Sequence, residues 1–429
     1  MTGERKPSVL DALREYGNDA DRLENPDVRE LLGAYASQRP DSISALESLG
    51  IVRREEGGIE LTDRSKSLAM DLGLEPGTGL SMSGSGYRSM LFQLGVLWRM
   101  NDAGLLPKLD QIASVSTASV TAAWLGLRWS RLDFGPDGTS RFGAEVVDPI
   151  REFAGRTIDV RQILLRMAFS GAGKRLADSL DKHLFHGATL DDLPDRPQFV
   201  LGATSLESGG SWRFAKTPSE GQPIGERRGY SLALAVAAST ALPPFLGPVS
   251  LQIYSREKQS DPAASRRPGP DEVKVSLVDG ALSDRFGLEP NWERYRNVLV
   301  SDGSPAPRPS TPASEGFTAQ ITQTLTLLES QGHRLWKRLL IEAYRRGDRG
   351  GAYWGIGSGL EGYADATLLP VSEGRALELA QIPTRLAAIE PQLQERLINW
   401  GYALTDSALR RHVVPDLPRP KAFPYPGGV

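Results

Sequence analysis

Cysteine is absent from the chain, which excludes disulfides, thiolate nucleophiles and cysteine-based metal sites. Histidine is scarce: the four are His183, His186, His333 and His412. None stands at an expected strand end in the kind of loop that delivers a triad histidine. His183 and His186 lie one turn apart on an expected helix, and without a carboxylate motif beside them they make a poor metal site. No metal or other cofactor is expected. A basic excess is missing too, since the net charge is −3, and nucleic acid is not an expected partner. No apolar h-region follows Met1–Pro7, so a secretory signal is not expected. The long uncharged stretch at residues 229–255 is interrupted by Pro243, Pro244 and Pro248. Prolines there would break the backbone hydrogen bonding that lipid demands, so a buried helix followed by a turn is expected rather than a membrane span. The expected location is the cytoplasm.

What is present is an ordinary globular composition in 429 residues, 40% apolar and 24% charged, with 45 glycines and 30 prolines for loops. Residues 1–76 read as a separate helical module. Val9, Leu10, Leu13, Val28, Leu31, Leu32 and Tyr35 suit two short amphipathic helices, and residues 43–50 a third with a glycine stop. Residues 52–61 read as a hairpin with Gly57-Gly58 at its turn. Helix followed by hairpin suggests a winged helix and hence DNA. Residues 1–75, however, carry 10 Lys and Arg against 16 Asp and Glu, the wrong sign for a phosphate-binding face. A protein-contact or capping role is the expectation.

From Gly77 the pattern changes to alternating strands and helices, which argues an α/β fold with a mixed, mainly parallel sheet flanked by helices. Strands are expected at residues 108–116, 199–204, 273–280 and 297–303, with Ser211–Phe214 returning against the second. Helices are expected from Met90 onward, at 119–127, through most of 145–190, between 317 and 349, and from Pro383 to His412. Residues 255–271 and 303–316 read as loops. The tail from 413 to 429 holds five prolines and is expected to run extended over the surface.

The chemistry centres on Leu80–Ser89, where an alternating segment meets Gly84-Ser85-Gly86 and then a patterned helix. Strand, glycine turn and helix N-terminus together present free N–H groups to an anion. A Walker A loop is excluded because no Gly-x-x-x-x-Gly-Lys-Ser/Thr run exists. A dinucleotide fingerprint needs glycine where Ser89 stands and an acidic strand end about 20 residues on. An oxyanion hole for acyl transfer remains. It needs a nucleophile, and Ser116 sits at a strand-to-helix turn with small Ser114 and Ala118 two residues to either side, the spacing of a nucleophile elbow. The base candidate is Asp279, which ends an alternating strand and precedes Gly280. Taken singly, Ser116 could be an ordinary turn serine and Asp279 a turn cap.

In these motifs and their order the chain resembles the patatin-like phospholipases, lipid acyl hydrolases with a Ser–Asp dyad. That family carries Gly-Gly-Gly-x-Arg-Gly/Ala, then Gly/Ser-x-Ser-x-Gly, then Asp-Gly-Gly/Ala. Here stand Gly84–Ser89, Ser114–Ala118 and Asp279–Ala281. Residues 238–244 resemble the family's helix ending in Pro-Pro, and Gly287–Pro290 also fits. The resemblance spans roughly residues 77–412, an acyl hydrolase domain between the N-terminal module and the proline-rich tail. It implies Ser116 as nucleophile, Asp279 as base, and an oxyanion hole from Gly84, Ser85, Gly86 and Thr117, with Arg88 steadying the loop or a lipid phosphate. The implied substrate is a phospholipid or other acyl-ester lipid, met by peripheral contact with a membrane surface. Departures from the pattern include Ser85 for the middle glycine, and Thr117 and Ala118 for Gly-Gly. Were Ser85 at positive φ, its side chain would cost about 1 kcal/mol. A second reading follows, a catalytically weak or inactive homologue that binds lipid or protein.

Overall fold

A computed structural model of the chain describes residues 52–55, 58–61, 74–135, 138–158, 172–217, 229–243, 246–254, 272–305, 316–359 and 369–429. The helices expected before residue 51, and the loops expected at 255–271 and 306–315, lie outside the described residues. The hairpin is present as β1 (Val52–Glu55) and β2 (Gly58–Leu61), antiparallel. Its register pairs Glu55 with Gly58, so Gly58 belongs to the strand and not to the turn.

The main sheet has eight strands: β3 (Glu75–Met82), β4 (Gln111–Val115), β5 (Gln198–Ser205), β6 (Ser211–Phe214), β7 (Val249–Tyr254), β8 (Glu272–Asp279), β9 (Tyr295–Asp302) and β10 (Gly350–Gly355). Their order is β10-β9-β3-β4-β5-β8-β7, with β6 on β5. The block from β10 to β5 is parallel, while β6, β8 and β7 pair antiparallel. The sheet is therefore mixed and mainly parallel, as the alternating pattern predicts. The helices are α1 (Gly86–Asp102), α2 (Ala118–Arg128), α3 (Asp148–Ala154), α4 (Ala172–Leu180), α5 (Leu232–Thr240), α6 (Glu289–Trp292), α7 (Phe317–Arg346), α8 (Glu373–Ala380) and α9 (Pro391–His412).

Four expectations are corrected. The strand before Ser116 begins at Gln111, because Leu106–Lys108 forms a 3-10 turn led by Pro107. The last helix begins at Pro391, at its first turn, where proline costs no hydrogen bond, and not at Pro383. The helix from Phe317 stops at Arg346 with Gly347 in the left-handed region (φ 78°), and β10 follows unpredicted. Its two glycines mask it: a side chain at Gly351 would run into the Val298 carbonyl of β9, so the strand needs the residue that weakens strand patterning. The tail is docked rather than merely laid over the surface. Leu417 and Val429 are buried, and Asn399 Nδ2 donates to the carbonyls of Tyr425 and Gly428, both at 2.8 Å.

Helix α1 is buried along nearly its whole length because α9 covers it. The two cross through glycine: a Cβ on Gly95 would strike the Ile398 carbonyl, and one on Gly401 the Phe92 carbonyl. Near the far end a buried Asp406 takes Arg99 Nε at 2.8 Å and Arg410 Nε at 3.0 Å. Arg99 also donates to the Pro418 carbonyl at 2.8 Å, so one carboxylate gathers α1, α9 and the tail. The crossing predicts that Gly401→Ala lowers unfolding free energy by about 1–3 kcal/mol through overpacking. Gly332→Ala, on α7 with open space around it, should raise it by about 0.5–1 kcal/mol. Urea melts of the two variants beside wild type measure both.

Candidate active site

The register of three strands brings the site together. β4 pairs with β5 up to Val115↔Gly202. β8 pairs with β5 from Ala203↔Asp279 onward. β6 pairs with β5 from Leu201 to Thr204, overlapping both, so β4 and β8 share the opposite edge of β5. There the end of β4 meets the end of β8. The next residue after Val115 is Ser116, and the last of β8 is Asp279. Gly280 allows the meeting, since a side chain on it would strike the Gly202 carbonyl and the Val115 side chain.

Ser116 has φ 57°, one of three non-glycine residues with positive φ among those described. Such a conformation costs roughly 1–3 kcal/mol and persists only where surroundings enforce it. Here its N–H donates to Ser239 at the C-terminal turn of α5, both to the carbonyl (3.1 Å) and to Oγ (3.0 Å). Ser239 Oγ lies 2.8 Å from Ser119 Oγ, which lies 3.1 Å from Ser114 Oγ, so a buried chain of serine hydroxyls backs the turn. The sequence pattern did not single out Ser239, although it stands just before the Pro-Pro end of its helix.

Ser116 Oγ donates to Asp279 Oδ2 at 2.7 Å, and both residues are buried, 6% and 3% exposed. Asp279 Oδ1 accepts the Ala281 N–H at 2.9 Å, and Thr204 Oγ1 donates to the Asp279 carbonyl at 2.8 Å. Burial pushes the carboxyl up to about 6, against the lowering effect of the bonds from Ala281 and Ser116. It is thus ionised at neutral pH yet basic for an aspartate, which suits a proton acceptor. Of the histidines, His333 points elsewhere, with Nε2 2.9 Å from Asp302.

The glycine loop lies against the same turn. A side chain at Gly84 would collide with the backbone nitrogens of Thr117 and Ala118, so only glycine lets the loop approach. Among the described residues no acceptor takes the N–H of Gly84 or of Thr117. Ser85 has φ −165°, extended backbone that any residue adopts. The positive φ falls on Gly86 (71°), so the serine in the middle of the loop carries no left-handed strain. The Ser85 N–H donates to Ser89 Oγ, and its hydroxyl lies 2.7 Å from Thr384 Oγ1. Thr117 Oγ1 donates to the Gly86 carbonyl at 2.9 Å, so the β-branched residue braces the loop.

Arg88 is 1% exposed, and its guanidinium donates to the carbonyls of Ile382 (2.5 Å), Gly303 (3.3 Å) and Ala380 (3.4 Å). Three backbone acceptors and full burial leave it as a tie for the loop. Ser83, one residue before the loop, donates to Asp302 Oδ1 at 2.9 Å and accepts the Gly303 N–H at 3.0 Å. Asp302 also takes Tyr353 Oη (2.7 Å) and the Ser304 N–H (2.8 Å). Burial alone would raise its carboxyl, but the bond and charge of His333, with Tyr353 and Ser304, hold it well below the usual carboxylate range. No group of three or more His, Asp or Glu side chains among the described residues is gathered as a metal ion requires.

Residues 80–292 match the family model Patatin, described as patatin-like phospholipase. Among solved structures, human GIVD cytosolic phospholipase A2 aligns at 15% identity and TM-score 0.45, over 80% of this chain and 60% of that one. The chain thus spans about three fifths of that protein. VipD from Legionella pneumophila aligns at 14% identity and TM-score 0.31, over 84% of this chain and 70% of that one. No curated protein matches the chain.

A carboxyl raised from 3.8 to about 6 is ionised at some cost to the fold. The native state binds its proton more tightly than the unfolded chain, so the cost is nil below pH 4 and complete above pH 6. Asp279→Asn should therefore be more stable than wild type by roughly 2–3 kcal/mol at pH 7.5, with the difference fading as pH falls to 4. Denaturant melts across that range measure it.

Proposed function

From the match of residues 80–292 to the patatin-like phospholipase family, we propose that the chain is a lipid acyl hydrolase working through Ser116 and Asp279. The observation that carries the reading is the 2.7 Å bond from Ser116 Oγ to Asp279 Oδ2, made by a serine at positive φ. Ser116 Oγ attacks the acyl carbonyl carbon while its proton passes to Asp279 Oδ2. The carbonyl oxygen becomes an oxyanion and accepts the N–H groups of Gly84 and Thr117. Collapse breaks the ester bond, and the leaving alkoxide takes the proton from Asp279, giving the free alcohol and an acyl-Ser116. Water then attacks the acyl carbon and gives a proton to Asp279, which returns it to Ser116 Oγ as the fatty acid leaves. No second base is required, because a carboxyl near 6 can take and return the proton at neutral pH.

Ser85, Gly86 and Arg88 serve the hole indirectly. Gly86 supplies the turn into α1, Ser85 ties the loop to Thr384, and Arg88 ties it to the carbonyls beside α8. Arg88 accordingly holds the loop and does not bind a lipid phosphate. The substrate is an acyl-ester lipid, and residues 77–412 form the catalytic unit, with residues 1–76 as an appended module.

A fluorophosphonate probe should label the wild type at Ser116 and leave Ser116→Ala unlabelled. A folded wild type that takes no label would favour the non-catalytic, lipid-binding reading instead. For a water-soluble p-nitrophenyl ester, kcat/KM should rise about tenfold per pH unit below 6 and level off above it, because the free enzyme needs Asp279 ionised. A profile flat from pH 4.5 to 8 would assign the proton transfer to another group.

A further inference from the structure

We infer that the outward face of α7 is the surface on which this protein docks to an anionic lipid bilayer. Six large apolar side chains of this helix stand between 41% and 61% exposed: Ile321, Leu327, Leu328, Leu335, Trp336 and Leu339. Ile321, Leu328 and Leu335 recur at seven-residue intervals, with Leu339 one turn on, so they form one stripe. Apolar stripes of this extent on a soluble surface mark interaction sites.

The opposite face is anchored to the body. Glu329 pairs with Arg285 at 2.5 Å, His333 with Asp302, and Tyr344 Oη donates to the Val298 carbonyl at 2.7 Å. Leu340 is buried. The helix is therefore held by its inner side and presents the stripe as a fixed feature.

Charge selects the occupant. The helix has five Arg and Lys against two Glu, in a chain whose net charge is −3. Both glutamates are engaged, Glu329 with Arg285 and Glu342 with Arg346. Arg334, Arg338 and Arg345 are exposed on one flank of the stripe, and Trp336 is on the other. Leucine and tryptophan with an arginine flank are what an interfacial helix needs to enter the headgroup region of an anionic membrane. A second copy of the helix is a worse fit. A two-helix seam needs a second apolar column three or four residues on; three on stand Thr324, Gln331 and Arg338, and the column four on is broken by Gly332 between Leu325 and Leu339.

The position serves the proposed reaction. Glu329 is near enough to influence Asp279 electrostatically, and Leu206 and Leu282, just past the ends of β5 and β8, are 53% and 50% exposed. The inference rests on the acyl hydrolase reading for why a bilayer is approached, but the docking can be tested without turnover.

The test is co-sedimentation of the full chain with phosphatidylcholine vesicles, with and without phosphatidylglycerol. Wild type should partition onto the phosphatidylglycerol vesicles. The triple variant Leu328→Gln, Leu335→Gln, Leu339→Gln should bind at least about tenfold more weakly. Arg334→Gln and Arg338→Gln should each cost about fivefold on anionic vesicles and little on neutral ones. All variants should keep the fluorophosphonate labelling of wild type, which reports the fold and site. Wild type that stays in the supernatant, or a triple variant that binds as tightly, overturns the assignment. So does a wild-type dimer that the triple variant converts to monomer. Vesicle binding without fluorophosphonate labelling would leave the docking face standing and remove the hydrolase.

Discussion

Everything at this site depends on two strand ends meeting on one edge of β5. β4 stops at Val115, and β8 takes over that edge at Asp279 running the other way. A parallel and an antiparallel neighbour thereby place a serine and an aspartate tip to tip, though 163 positions separate them in the chain. The mixed character of the sheet is what makes this contact possible. In an all-parallel arrangement the neighbour of β4 on that edge could not end where Ser116 begins. Gly280 is glycine at the point of crossing because its backbone meets the Gly202 carbonyl there, and a side chain on Gly202 would press on that of Val115.

The site is unfavourable to the fold in two ways. Ser116 at positive φ costs roughly 1–3 kcal/mol, and Asp279 holds a charge where burial resists it. Both are sustained by their neighbours. Ser239 receives the Ser116 N–H twice over, and the Ala281 N–H supports the carboxylate. Strain and a raised carboxyl at the same pair of residues are hard to explain as packing. A core serine would relax to negative φ. A raised carboxyl alone does not single Asp279 out, because buried Asp284, which accepts the N–H groups of Leu288 and Glu289, is pushed up to about 6 as well, while Asp302 is held down. What sets Asp279 apart is the serine at positive φ that donates to it at 2.7 Å.

The sequence disclosed the candidate serine–aspartate pair but not its supports. Ser116, Asp279 and Gly84 could be found because each sits in a short local pattern set by backbone constraints: small neighbours at an elbow, Asp-Gly at a strand end, glycine at a close approach. Ser239 had no such pattern, and Asp302, although it too stands in an Asp-Gly at a strand end, gave no sign of what it would hold. Their roles come from partners far away in the chain, 123 positions for Ser239 with Ser116 and 219 for Ser83 with Asp302, and a hydroxyl or carboxylate carries no periodicity that reveals a distant partner. β10 escaped for a different reason, because the glycines it needs against β9 erase the alternation by which strands are read. Ser85 could not be judged from its identity. Which of three consecutive loop residues takes positive φ is decided by packing against Thr384 and Arg385, and it falls on Gly86.

Asp302 links the interior of the site to its outer surface. Through Ser83 it fixes the residue from which the glycine loop departs, and through His333 it holds the inner face of α7. The glycine loop and the exposed apolar helix therefore share one buried carboxylate as support. Because that carboxylate is stabilised in its ionised form by several donors at once, neither the loop nor the helix can shift without leaving it short of a partner. The loop that would receive an acyl group and the helix that would meet a bilayer are thus held in one fixed relation, so a lipid surface settling on α7 would find the glycine loop already in place.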